Sequence, residues 1–347
     1  MRVYKYEGNF NLEGGAILPG IDIAFNTYGK LNADRSNVVW VCHALTANSE
    51  AADWWNGVVG SGQVINPEKY FIVCANILGS CYGSTGPLHI NAQTGSTYNG
   101  SFPLVTIRDM VQAHILLRKH LGIEKIHVLM GGSMGGYQAL EWCVMENTVI
   151  ENLLLLATSA SESAWGIATH TAQRLSIEAD STWNTNLPQA GAKGLKAARA
   201  IGMLTYRNYG IMVQQQLDTD FEKLENFKAS SYINYQGDKL VQRFNACSYW
   251  ILTKSMDSHN IARGRGGNLE VVLKNISQRT LIIGISSDIL CPLVEQHFLA
   301  RHIPNAALID IDSSYGHDGF MVESKIISQH LAEWLGSDIV LGYGAAI

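Results

Sequence analysis

Apolar residues come along this chain in two spacings. Apolar runs at 37–43 (NVVWVCH), 70–75 (YFIVCA), 126–130 (broken only by His127), 150–157 (IENLLLLA) and 280–285 (TLIIGI) have the length and β-branched content of strands buried on both faces. Residues 307–311 read as a last strand. Between these runs Ile107, Met110, Val111, Leu117 and Leu121 recur at helical spacing and predict a helix over 106–121. Residues 319–335 read as a closing helix. Buried strands alternating with helices predict a mostly parallel sheet covered on both sides. Residues 3–29 mix aromatic and β-branched side chains with Gly14-Gly15 and Pro19-Gly20. They read as an antiparallel hairpin region leading into the sheet.

The rhythm breaks between about 175 and 272. That stretch has helical patterns at 194–206 and 238–256, and no buried strand stands out in it. It reads as a helical lid inserted in one α/β core, giving core segments 1–174 and 273–347 around a lid at 175–272. Arg263-Gly264-Arg265-Gly266-Gly267 reads as a mobile return loop whose arginines are candidates for binding phosphate.

Composition narrows the class. At 347 residues, 47% hydrophobic and 16% charged, the chain can bury a large core. The net charge of −5 without a basic run argues against nucleic acid or an anionic membrane as partner. No stretch supplies the roughly 18 apolar residues of a membrane span. The opening MRVYKYEGNF lacks the apolar centre of a secretion signal. The six cysteines are scattered without a C-x-x-C pair, so a cytoplasmic protein with reduced thiols, no zinc site and no other metal is expected.

The chemistry centres on Gly131-Gly132-Ser133-Met134-Gly135, a G-x-S-x-G sequence set between a predicted strand and a predicted helix. A serine on such a turn projects its hydroxyl clear of the sheet while small neighbours let the backbone pass closely. The helix that follows aims unpaired N–H groups at the same spot. A serine hydroxyl needs a base, and the base needs an orienting group. Asp288 follows the run TLIIGI, and His317 follows the last strand. Both fall on loops after strands, in the chain order Ser, Asp, His of α/β-hydrolase folds. The N–H of Met134, next to the nucleophile, and that of Leu45, in the loop after NVVWVCH, are the expected oxyanion donors.

These residues carry a resemblance. HALT at 43–46, Trp54-Trp55, NILGSCYGSTGP at 76–87, FPLVTIRDMV at 102–111, GGSMGGYQALEW at 131–142, TYRN at 205–208, YQGDKLVQRFNACSY at 235–249, Ser287-Asp288 and Gly316-His317-Asp318 together resemble the homoserine O-acetyltransferase family, acyltransferases of the α/β-hydrolase fold. Two positions depart from its pattern: Ala47 stands where glycine is usual, and Tyr137 where methionine is usual. The resemblance implies acetyl transfer from acetyl-CoA to the side-chain hydroxyl of L-homoserine by a ping-pong acyl-serine route, in methionine synthesis. It implies no permanently bound cofactor and a homodimer formed through the lid. It also implies that Arg199, Tyr206 and Asp318 bind the amino-acid acceptor. Arg199 and Tyr206 are about two helical turns apart, so one helix face can present both. The alternatives are a succinyl donor, a serine acceptor, or hydrolysis by an esterase or thioesterase, which would share every triad residue.

Overall fold

A computed structural model describes residues 1–336; the end of the second core segment, 337–347, lies outside the described residues. The strands are β1 (Arg2–Tyr6), β2 (Phe10–Asn11), β3 (Ile17–Leu18), β4 (Ile21–Tyr28), β5 (Val38–Cys42), β6 (Phe71–Ala75), β7 (Ile126–Gly132), β8 (Ile150–Leu156), β9 (Arg279–Ile285) and β10 (Ala306–Ile311). Eight of them form one sheet in the order β1-β4-β6-β5-β7-β8-β9-β10. From β6 to β10 every neighbouring pair is parallel, while β4 runs antiparallel to both β1 and β6. The expected hairpin region is therefore two features: the β2–β3 hairpin, and the antiparallel edge made by β1 and β4.

The apolar runs follow from burial on both faces. In β5, Val38, Trp40 and Cys42 join one core cluster, while Val39 and Val41 join the other. Leu153 and Leu155 of β8 face the first cluster, Leu154 and Leu156 the second. The first core is covered by α2 (Ile107–His120) and α3 (Met134–Met145), the second by Trp55 and α12 (Ser324–Leu335). Helix α2 starts where its sequence says it should. Thr106 Oγ1 accepts from the Asp109 N–H, and Asp109 Oδ2 accepts from the Thr106 N–H at 2.8 Å, a reciprocal cap.

The remaining helices are α1 (Ala51–Trp54), α4 (Ala164–Glu178), α5 (Ala192–Tyr206), α6 (Tyr209–Gln216), α7 (Lys228–Val241), α8 (Ala246–Asp257), α9 (Leu269–Lys274), α10 (Leu293–His302) and α11 (Gly319–Val322). Four boundaries differ from the sequence reading. Helix α4 crosses position 175 and α9 crosses 272, so both expected lid boundaries fall inside helices. The pattern at 238–256 is two helices, because Asn245 leaves helical geometry and its side chain accepts from the Ser248 N–H to cap α8. The closing helix is α11 and α12, broken at Glu323. Helices α4 to α8 pack mainly on one another, α4 on α5 and α8, and α5 on α7. No helix of the described residues is long and apolar enough to cross a membrane.

The glycine-rich return loop is anchored. Arg263 pairs with Glu13 at 2.7 Å, and Arg265 pairs with Glu141 at 2.5 Å. Arg108 bridges the same two glutamates. The arginines singled out as phosphate candidates are thus engaged by carboxylates, which tie the loop to residues 13 and 141.

Candidate active site

Strand order locates the site. Chain order reverses on either side of β5, since β6 lies to one side and β7 to the other. Crevices at the carboxyl ends of strands form at such a reversal. Register aligns those ends: Cys42 is level with Gly131, Gly132 with Leu156, and Ile285 with Ile311. Ser133 after β7, Leu45 after β5, Asp288 after β9 and His317 after β10 therefore all leave the sheet at its one carboxyl edge.

The turn carrying Ser133 is shaped by contact. Ser133 has φ 54° and ψ −127°, a backbone conformation rarely adopted by side-chain-bearing residues and costing roughly 1–3 kcal/mol. The surrounding structure holds it there: the Ser133 N–H donates to Leu156 O, and Ser133 O accepts from Thr158 Oγ1, both at 2.9 Å. A Cβ at Gly131 would lie 2.3 Å from the Gly135 backbone, and one at Gly135 would lie 2.1 Å from Cys42 O. The glycines of the motif are required because two backbone segments pass there.

Ser133 Oγ donates to His317 Nε2 at 2.8 Å, and His317 Nδ1–H donates to Asp288 Oδ2 at 2.7 Å. Asp288 Oδ1 accepts from the N–H groups of Leu290 at 2.8 Å and Cys291 at 2.9 Å. All three side chains are buried. Burial alone disfavours the charged imidazole, but the charge and hydrogen bond of Asp288, with Asp318 and Glu162 adding to them, raise the His317 pKa above 6.5. Cys291 brings a third metal-type donor to within 4.8 Å of Asp288 and His317. Both nitrogens of the imidazole and both oxygens of the carboxylate are already engaged. Burial lifts the Cys291 thiol well above its ordinary value, so it stays protonated.

Ser133 and His317 open into a cavity of about 420 Å³. Leu45, Arg199, Tyr206 and Asp318 line the same cavity, while Met134 and Asp288 lie behind it. The structure thus gathers all eight predicted site residues around one space. The N–H groups of Leu45 and Met134 donate to no acceptor among the described residues. The Arg199 guanidinium stands 5.3 Å from the Tyr206 ring centre, and its buried Nε has no hydrogen-bond partner. The loop of His317 packs on the end of α5, so closely that a Cβ at Gly316 would lie 2.8 Å from Tyr206 O.

Sequence reasoning missed three neighbours. Arg207 pairs with Asp318 Oδ2 at 3.2 Å. Burial pushes the Asp318 pKa up, while Arg207, His317 and Arg199 pull it back. Its position beside Tyr206 was the available signal. Arg243 donates to Thr46 O and to the Tyr82 hydroxyl, clamping the loop after β5. Gln138, fully buried in α3, donates through Nε2 to both His43 O and Met134 O at 3.1 Å. Nothing in a single sequence marks a helix glutamine for that task.

A family model described as alpha/beta hydrolase fold matches residues 37–324. A curated homoserine O-acetyltransferase of Cyclobacterium marinum is 49% identical over 92% of this chain and 91% of its own length. The crystal structure of homoserine O-acetyltransferase from Bacillus anthracis superposes with a TM-score of 0.89 over 97% of this chain and 98% of that one, at 24% identity. An acetylester hydrolase from Corynebacterium glutamicum superposes with a TM-score of 0.85 at 23% identity, over 97% of this chain and 96% of that one. Both superpositions show the fold, which transfer and hydrolysis share. The identity to the curated relative decides the family: this chain is an acyltransferase and belongs to the homoserine O-acetyltransferase family of the α/β-hydrolase fold.

Proposed function

We propose that the protein transfers an acetyl group from acetyl-CoA to the side-chain hydroxyl of L-homoserine through an acyl-serine intermediate, a step of methionine biosynthesis. The observation that carries the reading is the chain Ser133–His317–Asp288, with hydrogen bonds of 2.8 and 2.7 Å, opening into a cavity that also holds Arg199 and Asp318. In the first half-reaction His317 Nε2 takes the Ser133 proton as Oγ attacks the thioester carbonyl. The N–H groups of Leu45 and Met134 hold the oxyanion, and the CoA thiolate leaves with the proton returned by His317. In the second half-reaction the homoserine hydroxyl gives its proton to His317 and attacks the acyl-serine; His317 then returns the proton to Ser133 Oγ as the ester of the acceptor leaves. Asp288 keeps the proton on Nδ1 and stabilises the imidazolium.

Transfer requires that an amino acid be bound and water kept out. Helices α4 to α8 serve as the lid in this reading. Arg199, whose Nε has no protein partner, takes the acceptor carboxylate, with Tyr206 beneath it. Asp318 takes the ammonium, with the Arg207 guanidinium as a counter-charge 3.2 Å from its Oδ2. CoA release measured with acetyl-, propionyl- or succinyl-CoA, each with homoserine, serine or no acceptor, tests the assignment. Acetyl-CoA with homoserine is expected to be fastest. Equal release without acceptor would mean hydrolysis, and a preference for succinyl-CoA or serine would reassign the substrates. In the same assay Arg199→Ala removes a charge-assisted pair of about 1.5–3 kcal/mol. It is expected to lower kcat/KM for homoserine by about 10- to 150-fold, while the first burst of CoA survives. Loss of the burst with homoserine dependence unchanged would place Arg199 on the donor side.

The base must be neutral to accept a proton, and the His317 pKa lies above 6.5. Activity is therefore expected to rise with pH through a limb centred above 6.5. Asp288→Asn removes the main influence raising that pKa, so the limb should move to lower pH while kcat falls by up to about 10⁴-fold. A limb that stays in place would reject Asp288 as the partner of His317.

A further inference from the structure

Tyr137, one of the two departures from the family pattern, has a distinct place in the fold. It lies in α3 one turn after the nucleophile, its N–H donating to Ser133 O at 3.3 Å, and its side chain is buried. That side chain does not line the catalytic cavity. It reaches instead the two segments by which the chain enters and leaves helices α4 to α8. Those segments form a short antiparallel neck. Ser161 pairs with Asn260, the Ile261 N–H donates to Ala160 O at 3.1 Å, and the Glu162 N–H donates to His259 O at 2.9 Å. Tyr137 touches both sides of the neck. Its ring stacks on His259 at 4.0 Å with 11° between the planes, and its hydroxyl donates to Glu162 Oε2 at 3.1 Å.

The two sides are secured differently. The outgoing segment continues into the loop whose Arg263 and Arg265 pair with Glu13 and Glu141. On the incoming segment the Glu162 carboxylate accepts from the Tyr137 hydroxyl and from the Ser163 N–H at 2.9 Å, and Ser163 caps α4. Holding Glu162 therefore holds the first turn of α4. From there the helices are tied together. Asp257 of α8 pairs with His170 at 2.8 Å and Arg174 at 2.6 Å, both in α4. Helix α4 packs on α5, which presents Arg199 and Tyr206 to the cavity.

We propose that Tyr137 is a positioning residue for the acceptor: by holding Glu162 and His259 against α3, it sets where the Arg199–Tyr206 face of α5 stands relative to Ser133. The inference rests on the reading that α4 to α8 form the lid and bind the amino acid. A misplacement of about 1 Å is costly to a reacting pair, and deacylation must admit homoserine while excluding water. Acylation asks less of the lid, because Ser133, His317 and the two oxyanion donors all belong to the core.

Tyr137→Phe keeps the stack on His259 and removes only the hydroxyl. Burst release of p-nitrophenolate from p-nitrophenyl acetate reads acylation: Ser133 Oγ bonds to the acetyl carbon, its proton passes to His317, and p-nitrophenolate departs. That burst is expected to stay within about twofold of wild type. KM for homoserine is expected to rise about 3- to 10-fold, the loss typical of one hydrogen bond, with kcat at saturating homoserine little changed. Glu162→Gln, whose amide can still bond the hydroxyl, should keep KM within about twofold of wild type. Tyr137→Met, which loses the stack as well, should raise KM at least as far as Tyr137→Phe. Amide exchange in α4 should quicken in Tyr137→Phe while that in β7 does not. Thermal midpoints report the folded fraction of each variant. A folded Tyr137→Phe with wild-type KM for homoserine, or a deficit confined to the burst, would overturn the proposal. If wild-type turnover requires homoserine and Arg199 while Tyr137→Phe behaves as wild type, this inference alone fails. If the wild-type acyl-enzyme turns over at the same rate with and without homoserine, the acceptor reading fails and this inference with it.

Discussion

Ser133→Ala is expected to lower turnover by about 10⁴- to 10⁶-fold and to abolish the acetyl group that wild type acquires from acetyl-CoA in the absence of acceptor. The size of the loss follows from the hydrogen-bonded chain. His317 Nε2 has Ser133 Oγ as its partner, and Asp288 is committed to His317 and two backbone N–H groups. Removing the hydroxyl leaves a base with nothing to activate, and members of such a unit fail together. The fold should survive, because the bonds holding the strained turn are made by the backbone of residue 133, to Leu156 O and from Thr158 Oγ1. Alanine meets the same backbone strain as serine. Intact-mass measurement after mixing with acetyl-CoA should show one acetyl group per chain in wild type and none in the variant, at similar thermal midpoints. An acetyl group found on another residue, or a variant within about tenfold of wild type, would reject Ser133 as the nucleophile.

Acid should unfold the protein well before its carboxylates are fully protonated. Three fully buried histidines have pKa values pushed down by burial, His43 and His114 to about 4 and His259 to about 3. His114 Nε2–H donates to Gln138 Oε1, and its Nδ1 is buried without a partner. His259 stacks on Tyr137 at 4.0 Å and donates to Ser159 O. Each is neutral when folded and takes a proton near pH 6.5 when unfolded. Below 6.5 the unfolded chain binds more protons, so stability is complete above that pH and is lost as pH falls toward 4. Each ring removes roughly 2–3 kcal/mol over that window, and three together approach the net stability of a typical domain, about 5–15 kcal/mol. His317 acts in the opposite sense, since its raised pKa favours the folded state on acidification. Buried Glu162 and Asp318, also raised, oppose the trend only as pH falls through their own pKa values. Urea midpoints measured from pH 7.5 to 4 should therefore fall steeply below 6.5. His259→Phe, which keeps the stack on Tyr137, should flatten the slope. Midpoints that stay level down to pH 4.5 would contradict neutral burial of these rings.

Much of the site could be read from the sequence because its signals are local. A strand buried on both faces must be apolar throughout, which marked β5 to β9 without any knowledge of their order. The elbow announces itself because two backbones cross at Gly131 and Gly135. Asp288 and His317 were recognisable because each follows a strand, and parallel strands bring their carboxyl ends to one edge.

Tertiary contact decided the rest. The break in the helical spacing at 238–256 is the exception, since it is made locally, by Asn245 capping the Ser248 N–H three residues on. The arginines of 263–267 suggest a mobile anion site until the fold brings Glu13 and Glu141 against them, from positions far away in sequence. Asp318 looks like an unpaired carboxylate until the end of α5 lays Arg207 beside it. His43 is one letter of a short motif until Ile77 and Ala44 O settle which nitrogen carries its proton. Residue type and spacing determined which chemistry was present. The arginine–carboxylate pairings join residues far apart in sequence, so only the folded chain decided them.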